Sequence, residues 1–332
     1  MKELIYYPNF ESTNANWLKF ALLYVDKLNP IIPPTGDNVR SYLYDKLINE
    51  TDLIAIHRPG YDEGYRSSLD AIDIATKVLE DPHKFDTIFN RFNAPKGWGN
   101  SNTLNAKLFE EKYSHEWKYF CLRHGFAVEV PGGLLMSNQL ASLYMVVLAN
   151  TIADSTGKSV ITDQNKIDKM SFFLRNKAPN PSKDLSNANA VLSLKLPSKI
   201  SNITFDEIIK LRNSRNFKKY RRAFHSELDN FYKNIEEGKT EQDFVEKYKN
   251  SISDFSEGLL TLSIDTIAFG LGTSLLLTKP EYTHTEFYRS VVLAGAGLVV
   301  KTGYTVKKTW RNTEAKRHCR RYLTKLSRLK YS

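Results

Sequence analysis

A chain of 332 residues with 41% hydrophobic and 25% charged side chains is long enough for one large or two ordinary domains and is not a wholly disordered protein. Its two cysteines, Cys121 and Cys319, stand far apart with no CxxC or Cys/His spacing, so the sequence supports neither a disulfide framework nor a structural zinc site. The net charge of +10 is segregated: from Lys301 to Ser332 eleven Lys or Arg face one acid, Glu314, while the preceding residues balance 36 basic against 36 acidic side chains.

Leu4 to Tyr7 reads as a short first strand, and Trp17, Ala21, Leu22, Val25 and Leu28 recur at helical spacing, predicting a helix from Asn14 to Leu28 that Asn29-Pro30 ends. Ile31-Ile32 and Leu53 to Ile56 are apolar runs bounded by breakers, with a helix expected from Asp37 to Ile48 between them. This alternation predicts an α/β start. Helix is expected from Ser67 to Leu79 and from Pro82 to Phe92, and a break from Asn93 to Asn102. Thr103 to His124 and Leu134 to Ala153 read as two long core helices, and Val160 to Thr162 as a strand ending at Asp163. The Pro/Asn/Ser-rich stretch from Asn176 to Asn189 reads as a linker. The expected organisation is an α/β domain over 1–175, a connecting segment over 176–203, and an all-helical domain over 204–332, so that the chain is predominantly helical overall. That last domain starts with a long helix from Thr204 and contains an apolar helical hairpin within 258–306.

Four local patterns suggest chemistry and each meets a simpler reading. Gly157-Lys158-Ser159 ends like a phosphate-binding loop but has Ile152 where the first glycine is needed, and it follows a helix instead of a strand; a helix-to-strand turn is expected. His115-Glu116 begins like a zinc-protease pattern, but Tyr119 stands where the second histidine must be, so a surface helix with Trp117 and Phe120 turned inward is expected. Gly270-Leu271-Gly272 and Gly295-Ala296-Gly297 lack the third glycine of a dinucleotide-binding turn and fit close helix packing instead. His57 and Asp163 each follow an apparent strand, where α/β sites lie; a turn histidine and an Asp cap for a helix from Gln164 to Phe173 are the plainer expectations. No Ser/His/Asp or Cys/His arrangement assembles from the sequence, no cofactor is expected, and the reading leans against an enzyme.

Several short segments together resemble an uncharacterised bacterial family known only as a domain of unknown function. They are Tyr6-Tyr7-Pro8, Trp17-Leu18-Lys19, Ala21 to Tyr24, Asp26-Lys27, Ile31-Ile32-Pro33, Tyr144-Met145, Leu148-Ala149, Ile161-Thr162-Asp163, Phe205 to Ile209 and Leu211-Arg212. The resemblance implies a bacterial or phage-borne intracellular protein with a place in mobile or antiphage defence neighbourhoods. It implies no established activity and supplies no catalytic residues.

The C-terminal third carries the functional expectation. Cys319, Tyr322, Leu323, Leu326 and Leu329 form one stripe of a helix expected from Thr313 to Leu329, surrounded by cations. The expected polyanion-binding residues are Lys307, Lys308, Arg311, Lys316, Arg317, Arg320, Arg321, Lys325 and Arg328, joined by Lys218, Lys219 and Arg222 from a basic face that also includes Lys210, Arg212, Arg215 and Arg221. Tyr220, Trp310 and Tyr322 offer stacking surfaces for single-stranded nucleic acid. A non-enzymatic protein binding nucleic acid or another acidic partner, in the cytoplasm, is the leading expectation, with assembly into an oligomer or complex left open. The alternative is a membrane-associated effector whose 258–306 hairpin inserts and whose tail meets an anionic membrane surface; Asp265 within Gly258 to Thr278 opposes this at about 2.5–3.5 kcal/mol. A further alternative is an enzyme whose site, including His57 and Asp163, forms only in the fold.

Overall fold

The first element, β1 (Glu3–Tyr6), is the middle strand of a parallel sheet in a computed structural model that describes residues 3–85, 97–99, 101–164 and 203–219, together with 166, 167, 170, 171, 174, 221, 222 and 321. On one side β1 pairs with β2 (Lys27–Pro30), from Glu3↔Lys27 to Tyr6↔Pro30; on the other it pairs with β6 (Ser159–Ile161), from Leu4↔Ser159 to Tyr6↔Ile161. Beyond β2, the chain at 53–57 adds parallel bridges, Leu28↔Ile54 and Ile31↔His57. Parallel neighbours need crossovers. Helix α1 (Ala15–Tyr24) provides the first and α2 (Tyr42–Glu50) the second. Asn14 starts α1 by accepting from Trp17 N, and Ser41 starts α2 by accepting from Tyr44 N, satisfying donors that have no partner within a helix's first turn.

The chain then leaves this sheet. Helix α3 (Tyr61–Glu80) leads to an antiparallel sheet of β3 (Leu104–Phe109), β5 (Gly133–Ser137) and β4 (Ala127–Val130), in the order β3-β5-β4, with α4 (His115–Arg123) between β3 and β4. Helix α5 (Asn138–Thr156) returns to the parallel sheet and ends at Gly157, whose φ of 62° gives the left-handed cap before β6. The Gly-Lys-Ser segment is thus the expected helix-to-strand turn. At Gly133 a side chain is excluded by position, because a Cβ would lie 2.1 Å from the Leu108 carbonyl oxygen.

Side-chain alternation divides β1 between two cores. Ile5 and Tyr7 join Ile31, the inner face of α3 (Ala71, Ala75, Val78), most of α5, and Trp98, Trp117 and Met136. Tyr6 turns the other way and packs on Trp17 of α1, with ring centroids 5.2 Å apart. The buried Tyr144 hydroxyl ties the first core together, donating to Lys112 O at 2.8 Å and lying 3.1 Å from Ser68 Oγ, which in turn accepts from Ser114 N at 2.9 Å. The buried small residues Gly64, Ser67, Ser68, Ala71 and Ala75 let α3 approach closely.

The mixed α/β reading holds for the described residues, but several boundaries need correction. The helix expected over 14–28 ends at Tyr24, because Leu28 belongs to β2 and bonds Leu53 O and Ala55 N. The long helix expected over 103–124 is β3, a turn and α4; Leu104 to Phe109 alternates in exposure along most of its length. The helix expected over 134–153 begins as β5, which lies between two partner strands and is buried on both faces. A continuous apolar run of that kind reads equally well as helix or strand.

After residue 203 the chain packs back onto the α/β unit. Helix α6 (Phe205–Asn213) opens with a capping box, in which Thr204 Oγ1 accepts from Glu207 N and Glu207 Oε2 accepts from Thr204 N at 2.8 Å. It is fastened to α1 and α2 by Lys46–Asp206, by Asn213 Nδ2 donating to Glu50 O, and by Arg212. The expected long helix from Thr204 is interrupted at Ser214, which caps α6 before helix resumes at 215. Residues 223–320 and 322–332, and with them the expected hairpin and most of the basic tail, lie outside the described residues.

Candidate functional site

In the parallel sheet the strand order is 53–57, β2, β1, β6. The chain builds outward from β1 in one direction and then returns to its other side, so the order reverses between β1 and β6. At such a reversal the loops leaving the two strands diverge, and ligands of open α/β sheets bind in the crevice at the carboxyl ends.

Asp163, two residues beyond β6, stands there. Its Oδ1 accepts from Tyr6 Oη at 3.0 Å and its Oδ2 from Ser12 Oγ at 2.5 Å. Tyr6 ends β1, and Ser12 lies in the loop leading into α1, where its Oγ also accepts from Asn14 N at 3.1 Å. Groups from both sides of the reversal therefore converge on one half-buried carboxylate. The Asp cap expected for the next helix is not the role seen: Gln164 N donates to Thr162 Oγ1 instead.

Around the carboxylate the site is aromatic and acidic. Trp17, partly exposed, lies against Tyr6. Tyr44 of α2 is 1% exposed and its Oη has no hydrogen-bond partner among the described residues. Burial raises its pKa well above that of a free tyrosine, and the negative charges of Glu11 and Asp163 add to the effect. Tyr6 is raised for the same first reason, with Asp163 next. Both hydroxyls are therefore proton donors throughout the physiological range. Glu11 accepts from Ser41 N and Ser41 Oγ, joining the loop after β1 to the start of α2.

His57 does not join this group through any hydrogen bond. Its Nε2 lies 2.9 Å from Glu63 Oε2, and Glu63 also accepts from Gly60 N at 2.9 Å and from Ser155 Oγ at 3.2 Å. Burial alone would raise the Glu63 carboxyl, but these donors outweigh it and hold it low. The histidine is part of the turn that starts α3.

Of the expected cationic residues, Lys218, Lys219, Arg222 and Arg321 are described. Lys219, Arg222 and Arg321 are exposed, as are Lys210 and Arg215. Lys218 lies 3.3 Å from Asp52 Oδ2. Arg212 and Arg221 are not on a basic face: both are buried and turn onto Asp52 and Asp26. The other expected polyanion-binding residues fall outside the described residues.

Sequence reasoning missed Tyr6, Ser12 and Tyr44 as companions of Asp163. Tyr6 sits at a strand end and Ser12 beside an N-cap, both visible signals, but their convergence with Asp163 requires the pairing of β1 with β6, more than 150 residues later in the chain. Among the described residues no group of three or more His, Cys, Asp or Glu is placed to hold a metal, and no helix is long and apolar enough to cross a membrane. No family model matches the chain, and no match is found among curated proteins or solved structures.

Proposed function

We propose that the α/β unit binds a small molecule at the β1–β6 reversal, through the carboxylate of Asp163. The observation that carries this reading is the convergence of Tyr6, Ser12 and Asp163 at the carboxyl ends of two diverging strands. Among the described residues each oxygen of the Asp163 carboxylate accepts one hydrogen bond and retains capacity for another. The ligand chemistry that fits is a pair of neighbouring O–H or N–H donors, with an apolar face against Trp17. An anion does not fit beside Asp163 and Glu11. Ligand-observed NMR with a fragment set containing vicinal diols and amines is the test. Hits of that chemistry should lose at least ten-fold in affinity in Asp163→Asn while circular dichroism stays unchanged. Hits indifferent to this substitution, or none of that chemistry, would remove the reading.

A second reading is favoured by the charge segregation of the C-terminal end. Here the chain is a non-enzymatic cytoplasmic protein, of the resembled bacterial family and of antiphage defence context, that binds nucleic acid through a helical C-terminal unit. The exposed cations Lys210, Arg215, Lys219 and Arg222 extend that surface, whereas Arg212 and Arg221 do not. Arg317, Arg320 and Arg321 replaced by Glu should abolish binding of single-stranded DNA, and the parent should lose affinity steeply with salt because bound cations release condensed counterions. Salt-insensitive binding would argue against this second function. Recovery of the protein only in detergent would move it to the hairpin-inserting alternative.

A further inference from the structure

Helix α3 is amphipathic in an unusual sense, with a buried face of small residues and an outer face that is partly aromatic. Tyr61, Tyr65 and Leu69 follow at i, i+4 and i+8, 79%, 37% and 43% exposed, and the two tyrosine rings stack with centroids 6.2 Å apart. Beside them runs a second exposed row, Asp62, Arg66, Asp70 and Asp73. Asp73 pairs with Lys77, while Asp62 and Asp70 have no ion pair among the described residues. The carboxyl of Asp70 is raised by burial and then by repulsion from Asp73, which together outweigh Arg66. An apolar row beside acids that repel one another calls for a partner with an apolar row and cations.

The chain contains such a partner. Residues 313–329 read as a helix with Cys319, Tyr322, Leu323, Leu326 and Leu329 on one stripe and six cations around it, and Arg321, the one residue of that stretch that is described, is helical. From Arg222 to Thr313 runs about 90 residues of chain, which at up to ~3.3 Å per residue sets no limit on reach. A second copy of α3 is disfavoured as occupant because two acidic faces repel, and nucleic acid is disfavoured for the same reason.

We infer that the outer face of α3 is the docking surface for this chain's own 313–329 segment, with Tyr322, Leu326 and Leu329 over Tyr61, Tyr65 and Leu69, and its cations on Asp62 and Asp70. The docking itself does not depend on the nucleic-acid reading, but it has a consequence for it. The docked segment has part of its cationic surface occupied, so a polyanion must compete with α3 and binding is restrained until the segment is released.

Carbodiimide crosslinking of the purified full chain, without nucleic acid and at low salt, followed by peptide mass spectrometry of the monomer band, tests the contact. Isopeptide links from Asp62 or Asp70 to Lys316 or Lys325 are expected, falling at least five-fold at 0.5 M salt and in the surface variant Tyr65→Ser/Leu69→Ser. Absence of links between the two segments, or links confined to crosslinked dimers, would overturn the inference. In the same double variant the affinity for single-stranded DNA should rise several-fold. A chain that crosslinks as expected but binds no DNA would remove the nucleic-acid reading and leave the docking standing, and DNA binding without the crosslink would do the reverse.

Discussion

Arg212→Met is expected to cost the protein about 3–5 kcal/mol, the range for removing one partner from a buried charged network, and urea denaturation followed by circular dichroism would measure it. The guanidinium is fully buried, donating through Nη1 to Leu22 O at 2.6 Å and Val25 O at 2.8 Å, through Nη2 to Asp26 O at 2.6 Å, and through Nε to Asp52 Oδ1 at 2.7 Å. The carbonyls belong to the end of α1 and the turn into β2, where the helix has run out of its own donors and carries partial negative charge. Methionine fills similar space but leaves these acceptors without donors, and Asp52 half-buried with less cation around it. Lysine would restore the charge without the planar fork that reaches four acceptors at once, so Arg212→Lys should recover less than half of the loss.

The same network sets a pH dependence. Burial and then repulsion from Arg221 pull Arg212 down to about 10, still protonated at neutrality. Burial alone would raise the Asp52 carboxyl, but Arg212, Arg221 and Lys218 outweigh it and hold it below the usual carboxylate range. A carboxyl lowered in the folded state contributes stability that is present above its unfolded value and is lost as pH falls through the folded one. Asp52→Asn should therefore flatten the acid limb of the stability curve below about pH 4. A variant at Arg212 as stable as the parent would mean that water replaces the guanidinium at the end of α1.

Arg212 also illustrates what the sequence could convey about this fold. Lys210, Arg212, Arg215, Lys218, Lys219, Arg221 and Arg222 read as one basic face because charge is counted by residue type. Helical geometry gave the correction in principle: the apolar positions Ile208, Ile209 and Phe217 are buried, and Arg212 and Arg221 lie among them. What the sequence did not contain was the set of acceptors, which comes from carbonyls some 190 residues earlier. Two of the parallel strands were legible because Leu4 to Tyr7 and Val160 to Thr162 are short runs with clear breakers; β2 was not, since Leu28 fits the helical spacing of α1 and Asn29-Pro30 reads as a helix terminator. β3 and β5 were not, since they run directly into helical periodicity. Asp163 was legible as a strand-end residue, but Tyr6 and Ser12 could be assigned to it only after β1 was known to pair with β6.

A second substitution, Lys112→Met, is expected to raise stability, by up to about 5 kcal/mol at pH 6.5, and the gain should shrink as pH increases. The Lys112 ammonium is 2% exposed and has no carboxylate hydrogen bond among the described residues. Its Nζ lies 3.6 Å from Met145 Sδ and 4.6 Å from the centre of the Phe10 ring. A thioether and an aromatic face replace little of a cation's hydration. Burial therefore pulls the group down to about 7, against 10.5 for an unburied lysine, with only the charge of Glu111 opposing.

At roughly 1.4 kcal/mol for each pH unit of that difference, the penalty for holding the charged amine inside is about 5 kcal/mol. The sign follows from proton counts. Between pH 7 and 10.5 the unfolded chain carries a proton on this lysine that the folded chain has released, so raising pH stabilises the folded state. Below pH 7 both states are protonated and the full penalty remains. The advantage of Met over Lys should thus be constant below about pH 7 and fall by roughly 1.4 kcal/mol per unit above it. The readable window is about pH 7 to 9, because above it Cys121 and the tyrosines Tyr6, Tyr44, Tyr113 and Tyr144, all raised by burial, remain protonated only in the folded state and act in the opposite sense. Methionine is an unbranched apolar side chain of similar length to lysine, and the Lys112 carbonyl that Tyr144 needs is a backbone atom that the substitution leaves in place. Equal stability of parent and variant, or a gain independent of pH, would show that the amine is hydrated or paired in solution. The expected result instead makes Lys112 a stability cost carried inside the fold, directly beneath the Phe10 loop that leads to Ser12 and Asp163.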